Sequence, residues 1–328
     1  MPRLYPESPT QQPWSFLDTR PFSSEEIISL FHKADELRQN QESLGSYTQN
    51  EAVGKVVFLL FLEPSTRTRL SFEMAALRLG HRVVVMDAGA GSSRVKGESD
   101  VDTVLNVMAM GPDALVIRYN RSPELDQLLP RLPIPVISGG NATAAHPTQA
   151  LLDAYTIYRS RIERGIGGAG DLRGERVLIV GDINHSRVAR SNFDVLTKLG
   201  AEIGVCGPPK LLPAVGEIPN VKVFRDLDEA LLWPTVYMGL RVQLERHESG
   251  ETGSGSLEAF HERFGMTAAR LAKLSSEALI MHPGPINHGV EFAEGVTEDP
   301  RSRVLVQVAN GVLIRAALLS KIFEGRAR

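Results

Sequence analysis

Ser65, Thr66, Arg67, Thr68 and Arg69 stand in an unbroken row. Hydroxyls and guanidiniums are hydrogen-bond donors, and a cluster of them suits an oxyanion, a phosphate above all. The flanking residues show how such a row would be held. Before it, Lys55 to Leu62 reads KVVFLLFL, an apolar run that suits a strand buried on both faces of a parallel sheet. Pro64 and Ser65 end that run. After it, Leu70, Met74 and Leu77 recur at helical spacing, and Gly80 marks the C-terminal stop. The row therefore falls where a strand turns into a helix. There the first backbone N–H groups lack intrahelical partners and the helix dipole is positive, which makes a socket for phosphate. The plainer reading is a capped helix with solvated arginines. A cap needs one Ser or Thr, and it leaves Thr-Arg-Thr-Arg without a purpose.

Other polar groups fall at comparable places. Ala114 to Ile117 reads as a strand ending at Arg118. A charge at the carboxyl end of a parallel strand faces the ligand crevice, although a surface arginine fits that position as well. Ser122-Pro123 has the signature of a helix start. Pro135 to Ser138 is a further strand, and it runs into GGNATAAHPTQALLD. Gly139 and Gly140 loosen the chain, and His146 and Gln149 flank the start of a long helix from Pro147 to about Arg161. A lone histidine there is more often a cap or a satisfied core residue. With Arg67, Arg118 and His146 all carried by strand ends of one sheet, a site becomes the better reading. Between the strand Arg82 to Met86 and a helix from Val101 lies DAGAGSSRVKGESD, which offers Ser92, Ser93, Arg94 and Lys96. A solvated loop and a loop that captures an anion fit it equally.

The N-terminal residues to about 22 read as an extended arm. Ser23 and Glu26 have capping-box spacing before a helix with Ile27, Phe31, Ala34 and Leu37 on one face. The glycine-rich stretch from Glu163 to Glu175 marks a domain boundary. Beyond it the strand–helix alternation restarts, with strands at Arg176–Val180, Glu202–Cys206, Val221–Phe224 and Val236–Leu240. VLIVGD invites a dinucleotide-binding reading, but Gly181 stands alone with no GxGxxG, which argues against a dehydrogenase. Arg187 follows the first of these strands, and Arg241 and Gln243 follow the last. A guanidinium grips a carboxylate through two parallel hydrogen bonds; a polar strand exit is the alternative. His247 to Ser256 is a Gly/Ser-rich loop, and His282-Pro283-Gly284-Pro285 a stiff turn with directed carbonyls. The last helix, Val304 to Phe323, is apolar almost all round and is expected to be buried.

The length of 328 residues suits two domains, and the net charge of −3 gives no footprint for nucleic acid or an acidic membrane surface. A single cysteine, Cys206, excludes an internal disulfide framework. No apolar run reaches the length of a membrane span and no signal-peptide core is seen, so a soluble cytoplasmic protein is the expectation.

STRTR followed by SFE, the Lys96 loop, Arg118, HPTQ, Arg187, RVQ and HPGP occur in the order found in the aspartate/ornithine carbamoyltransferases. The chain resembles that family along nearly its whole length. The second half resembles its aspartate branch, since HPGP and MGLRVQ stand where ornithine enzymes carry His-Cys-Leu-Pro and Asp-x-x-x-Ser-Met-Gly. The resemblance implies an α/β fold of two doubly wound parallel-sheet domains joined by interdomain helices. Residues 1–150, completed by a C-terminal helix at about 302–328, would bind carbamoyl phosphate, and 151–301 would bind aspartate. The implied reaction moves the carbamoyl group of carbamoyl phosphate to the α-amine of L-aspartate, a step of pyrimidine biosynthesis, without metal or cofactor. Ser65, Thr66, Arg67 and Thr68 would hold the phosphate, and Thr68, Arg118 and His146 the carbamoyl oxygen. Gln149 and the backbone at Gly284 and Pro285 would hold the carbamoyl NH2. Arg187, Arg241 and Gln243 would orient aspartate. Ser92, or Ser93, and Lys96 would reach the site of an adjacent subunit, Lys96 touching both substrates, in a homotrimer with shared sites. Larger complexes with regulatory chains or dihydroorotase belong to the same expectation.

Overall fold

The computed structural model describes residues 13–45, 47, 54–87, 97–120, 122–141, 145–167, 170–214, 217–242 and 257–324. The chain divides into two compact units, 1–148 with 311–328, and 149–310.

The first unit is built on a four-stranded parallel sheet, ordered β2-β1-β3-β4, from β1 (Val56–Phe61), β2 (Arg82–Asp87), β3 (Ala114–Tyr119) and β4 (Val136–Asn141). β1 and β3 are buried almost throughout, as their continuous apolar runs require. One core layer packs Phe58, Leu60 and Ile117 against Val104, Val107 and Leu125 from α3 (Asp100–Ala109) and α4 (Pro123–Leu128). The arm pairs with β4 through Phe16, which donates to Val136 O and accepts from Ser138 N, each at 2.8 Å. α1 (Ser24–Leu44) has the capping box read from Ser23 and Glu26.

α2 (Thr66–Arg78) forms where the helical spacing placed it. Its buried residues are Thr68, Ser71, Phe72, Ala75 and Ala76. Leu70, Met74 and Leu77, the stripe that signalled the helix, are 44%, 42% and 52% exposed. The buried face carries one large side chain, Phe72, among small ones, and the periodic stripe is not part of it.

The second unit carries a five-stranded parallel sheet, ordered β7-β6-β5-β8-β9, from β5 (Arg176–Val180), β6 (Glu202–Cys206), β7 (Val221–Phe224), β8 (Val236–Gly239) and β9 (Leu279–Met281). α5 (Pro147–Glu163), α6 (Arg187–Lys198), α7 (Leu227–Ala230), α8 (Leu257–Phe264) and α9 (Ala268–Lys273) flank it in sequence. Tyr237, Phe260, Phe264, Met266 and Phe292 share its core.

α10 (Val304–Glu324) brings two corrections. By length and composition it is apolar enough to cross a membrane, yet 61% of its most apolar stretch is buried inside the protein. Nor is it buried all round: Leu305, Val306 and Val308 are 81%, 40% and 47% exposed, whereas Leu313, Ile314 and Ala316 to Leu319 are core. Its Arg315 is buried in the first unit, donating to Thr148 Oγ1 at 3.2 Å and to Gly311 O, with its guanidinium over the Phe72 ring.

Cys206 ends β6 without exposed surface, and burial pushes its thiol up to about 12. Native protein at pH 8 should therefore leave an aromatic disulfide reagent unreacted, and should release one thiol equivalent only on unfolding. Rapid reaction of the folded chain would contradict the packing of β6.

Candidate active site

In an open parallel sheet, ligands bind beyond the carboxyl strand ends, where the strand order reverses. In the first sheet that point lies between β1 and β3. Phe61 pairs with Arg118 and Arg118 with Gly140, so the ends of β1, β3 and β4 are level. The chain leaving β1 turns at Ser65 into α2. Ser65 is extended (φ −160°, ψ 104°) and makes no side-chain cap to its own helix. By contrast, Ser23, Ser99, Ser122 and Ser186 each cap theirs. The Ser65 hydroxyl instead accepts from Arg118 Nη1 at 3.2 Å. This departs from the capped-helix alternative and leaves the α2 N–H groups directed at the strand-end crevice.

Arg118 is 8% exposed, and its Nε lies 3.3 Å from Glu63 Oε2. Thr68 Oγ1 and His146 Nε2 are 3.4 Å apart, both groups buried. Gly140 sits between the two side chains: a Cβ there would be 3.6 Å from Arg118 Nη1 and 3.8 Å from the His146 ring. Its φ of +119° excludes other residues as well. The geometry thus brings Ser65, Thr68, Arg118 and His146 together. Thr66 and Arg67 are exposed on the first turn of α2. The other guanidinium of the row turns away: Arg69 pairs with Glu73 at 3.2 Å and Asp87 at 3.3 Å, so it is no part of the socket. Ser92, Ser93 and Lys96 lie outside the described residues.

In the second sheet the order reverses between β5 and β8. Arg187 opens α6 after β5, and Arg241 follows β8. Gly181, at φ +137°, lets these two exits touch, for a Cβ there would be 2.9 Å from Leu240 O. Its glycine serves that close approach. Buried Asp182 accepts from His185 N at 3.1 Å and faces His185 Nδ1 at 2.9 Å, which shapes the loop into α6. The chain after Arg241 is held by buried Glu291, whose Oε1 accepts from Val242 N at 2.7 Å and whose Oε2 accepts from Asn287 N at 2.7 Å. Burial raises the Glu291 carboxyl above its ordinary pKa, and these donors oppose the shift. Gln243 and the segment His247 to Ser256 lie outside the described residues.

The turn after β9 is anchored at His282, whose N–H donates to Gln307 Oε1 at 2.9 Å and whose Nδ1 accepts from Gly284 N at 2.8 Å. The Gly284–Pro285 bond is cis. Gln149, on the first turn of α5, donates to Asp153 Oδ1 at 2.8 Å. Asp153, Gln307, Glu63 and Glu291 were not singled out from sequence. Asp153 had a signal, since Gln and Asp four apart meet on one helix face.

Two family descriptions match the chain: "Aspartate/ornithine carbamoyltransferase, carbamoyl-P binding domain" over residues 15–159, and "Asp/Orn binding domain" over 173–322. An aspartate carbamoyltransferase catalytic subunit of Caldanaerobacter subterraneus is 42% identical over 311 residues, 94% of this chain and 98% of the relative. That of Gemmatimonas aurantiaca is 47% identical over 83% of this chain and 82% of its own length. Trypanosoma cruzi aspartate transcarbamoylase, solved with carbamoyl phosphate and aspartate, superposes with a TM-score of 0.80 at 28% identity, covering 96% of this chain and 98% of that one. The catalytic subunit from M. jannaschii gives 0.80 at 28% identity over 95% and 98%.

Proposed function

The chain belongs to the aspartate/ornithine carbamoyltransferase family, and we propose that it transfers the carbamoyl group of carbamoyl phosphate to the α-amine of L-aspartate. The products are N-carbamoyl-L-aspartate and phosphate. One observation carries the choice of acceptor: Arg187, at the start of the helix that follows β5, and Arg241, just past β8, come after the two strands that flank the switch point of the second sheet. Two guanidiniums suit a dicarboxylate and repel a cationic amino acid.

The socket of the first unit takes carbamoyl phosphate. Ser65, Thr66, Arg67 and Thr68, with the α2 N–H groups, hold the phosphate. Arg118, His146 and Thr68 face the carbamoyl oxygen. Gln149 and the carbonyls of the Pro283–Pro285 turn accept from the carbamoyl NH2. Arg187, Arg241 and Gln243 align aspartate. Its amine attacks the carbamoyl carbon, and charge builds on the carbonyl oxygen, where fixed donors stabilise it. Collapse expels phosphate, whose oxygens accept the amine proton. Positioning and electrostatics supply the rate.

The reading extends to a cyclic homotrimer in which Ser92 and Lys96 of one subunit enter the next subunit's site. Supporting it, Leu70, Met74 and Leu77 form an exposed apolar stripe on α2, the helix that carries the socket, and Val84 is 44% exposed on edge strand β2. A second copy would cover such a face.

The test is product formation by the purified chain. Carbamoyl aspartate and phosphate should appear in equal amounts from carbamoyl phosphate and L-aspartate, and citrulline should not form from L-ornithine. Citrulline formation would overturn the choice of acceptor. Within the same assay, Arg241→Ala should raise KM for aspartate by about thirtyfold, the loss of one charged hydrogen bond. KM for carbamoyl phosphate should stay within about twofold, since its phosphate is assigned to the other unit. The reverse pattern would reject that division of substrates.

A further inference from the structure

Asp153 lies one turn beyond Gln149 on α5, without exposed surface. Three side-chain amides converge on its carboxylate. Gln149 Nε2 and Gln307 Nε2 each donate to Oδ1 at 2.8 Å, and Asn192 Nδ2 donates to Oδ2 at 3.0 Å. The amides are themselves buried, Asn192 completely and Gln307 and Gln149 to within 2% and 8%. A carboxylate in a helix interior is costly unless donors surround it, and here they come from three separate helices.

A glutamine amide is a donor at one end and an acceptor at the other, with almost the same shape either way round. Packing therefore does little to choose which end of Gln149 faces outward. A carboxylate chooses, because it only accepts. Both glutamines must turn their NH2 groups to Asp153. For Gln307 the consequence is visible: its Oε1 accepts from the backbone N–H of His282, the first residue of the His282–Pro285 turn. For Gln149 the end turned from Asp153 is the carbonyl oxygen. Asn192, on the helix that Arg187 opens, is drawn into the same hub.

We infer that Asp153 is a positioning residue whose charge sets the polarity of the Gln149 amide, so that the carbamoyl NH2 meets an acceptor and not a second NH2. Through Gln307 the same carboxylate holds the turn whose carbonyls face that NH2. The inference rests on the carbamoyl transfer proposed above. Asparagine at 153 keeps the volume and removes the constraint. Gln149 then also populates the reversed amide, which sets donor against donor.

The experiment compares Asp153→Asn with the parent for two ligands. Carbamoyl phosphate reads the phosphate socket and the carbamoyl contacts together; inorganic phosphate, as a competitive inhibitor, reads the socket alone. The expected result is a KM for carbamoyl phosphate raised by about tenfold or more, with the Ki of phosphate changed less than about twofold. A merely structural role would move both constants together, or lower the melting temperature without separating them. An active parent whose variant keeps the ratio of the two constants overturns this inference alone. A parent that forms no carbamoyl aspartate overturns the transfer reading and this inference with it. Should Asp153→Asn not fold, neutron diffraction of the parent with phosphonoacetamide decides. Deuterium on the Gln149 atom facing Asp153, with Oε1 toward the carboxamide nitrogen, supports the assignment; the reversed amide overturns it.

Discussion

Arg67→Ala is expected to lower turnover by about a thousandfold, the scale seen when a transition state loses a fixed charge-stabilising donor. Its far-ultraviolet circular dichroism and melting temperature should match those of the parent. Both halves of this expectation come from where the residue sits. Arg67 is on the first turn of α2, beside the strand-end crevice formed by β1, β3 and β4. The departing phosphate gains charge as the bond to the carbamoyl carbon breaks, and a guanidinium there strengthens its grip as that charge grows. Stability is another matter. The side chain is exposed, so its removal opens no cavity. Alanine is also at least as good a helix former as arginine. The measurement is kcat at saturating substrates alongside thermal unfolding. A folded variant with near-parental kcat would sink the assignment of the socket, and one that unfolds would place Arg67 in the structure and not in the chemistry.

The strands were legible because parallel strands buried on both faces leave unbroken apolar runs. Arg176–Val180 and Glu202–Cys206 are found where the runs stand, each buried beyond its first residue, and Val221–Phe224 is found as well, as a half-exposed edge strand. The position of Arg118 was legible for the same reason, since a charge closing an apolar run marks the carboxyl end of its strand. The inner face of α2 was not. Apart from Phe72, its buried residues are Thr68, Ser71, Ala75 and Ala76, which carry little hydrophobic signal, while Leu70, Met74 and Leu77 carry much and stay exposed. Helices α8 and α9, of 8 and 6 residues, are too short for a periodic pattern to stand out. The Asp153 hub was hidden by distance along the chain. Its partners Asn192 and Gln307 lie 39 and 154 residues away, and nothing local announces that a helix-interior aspartate will meet them. Local chemistry thus points to the groups that would face a ligand. The groups that would hold them in place are recruited by topology and need the fold.

A mixture of two inactive variants is expected to regain activity. Arg67→Ala removes a cation from the α2 socket, and Lys96→Ala removes one from a segment too polar and glycine-rich to pack in a core. If Lys96 completes the neighbouring subunit's socket in a cyclic trimer, each site draws Arg67 from one chain and Lys96 from the next. Either homogeneous variant then carries a lesion in every site. In a hybrid ring, one boundary joins a chain with intact Arg67 to a neighbour with intact Lys96. That site is native, another carries both lesions, and the third carries one. Each hybrid trimer should therefore show about one third of the parental activity, with parental KM values because the surviving site is unaltered. The variants would be dissociated together, reassembled and separated by a charge tag on one chain, and the hybrids assayed alone. If Lys96 serves the socket of its own chain, each site carries one lesion whatever the composition of the ring. Hybrids as inactive as their parents would then end the shared-site reading while leaving the carbamoyl transfer itself intact.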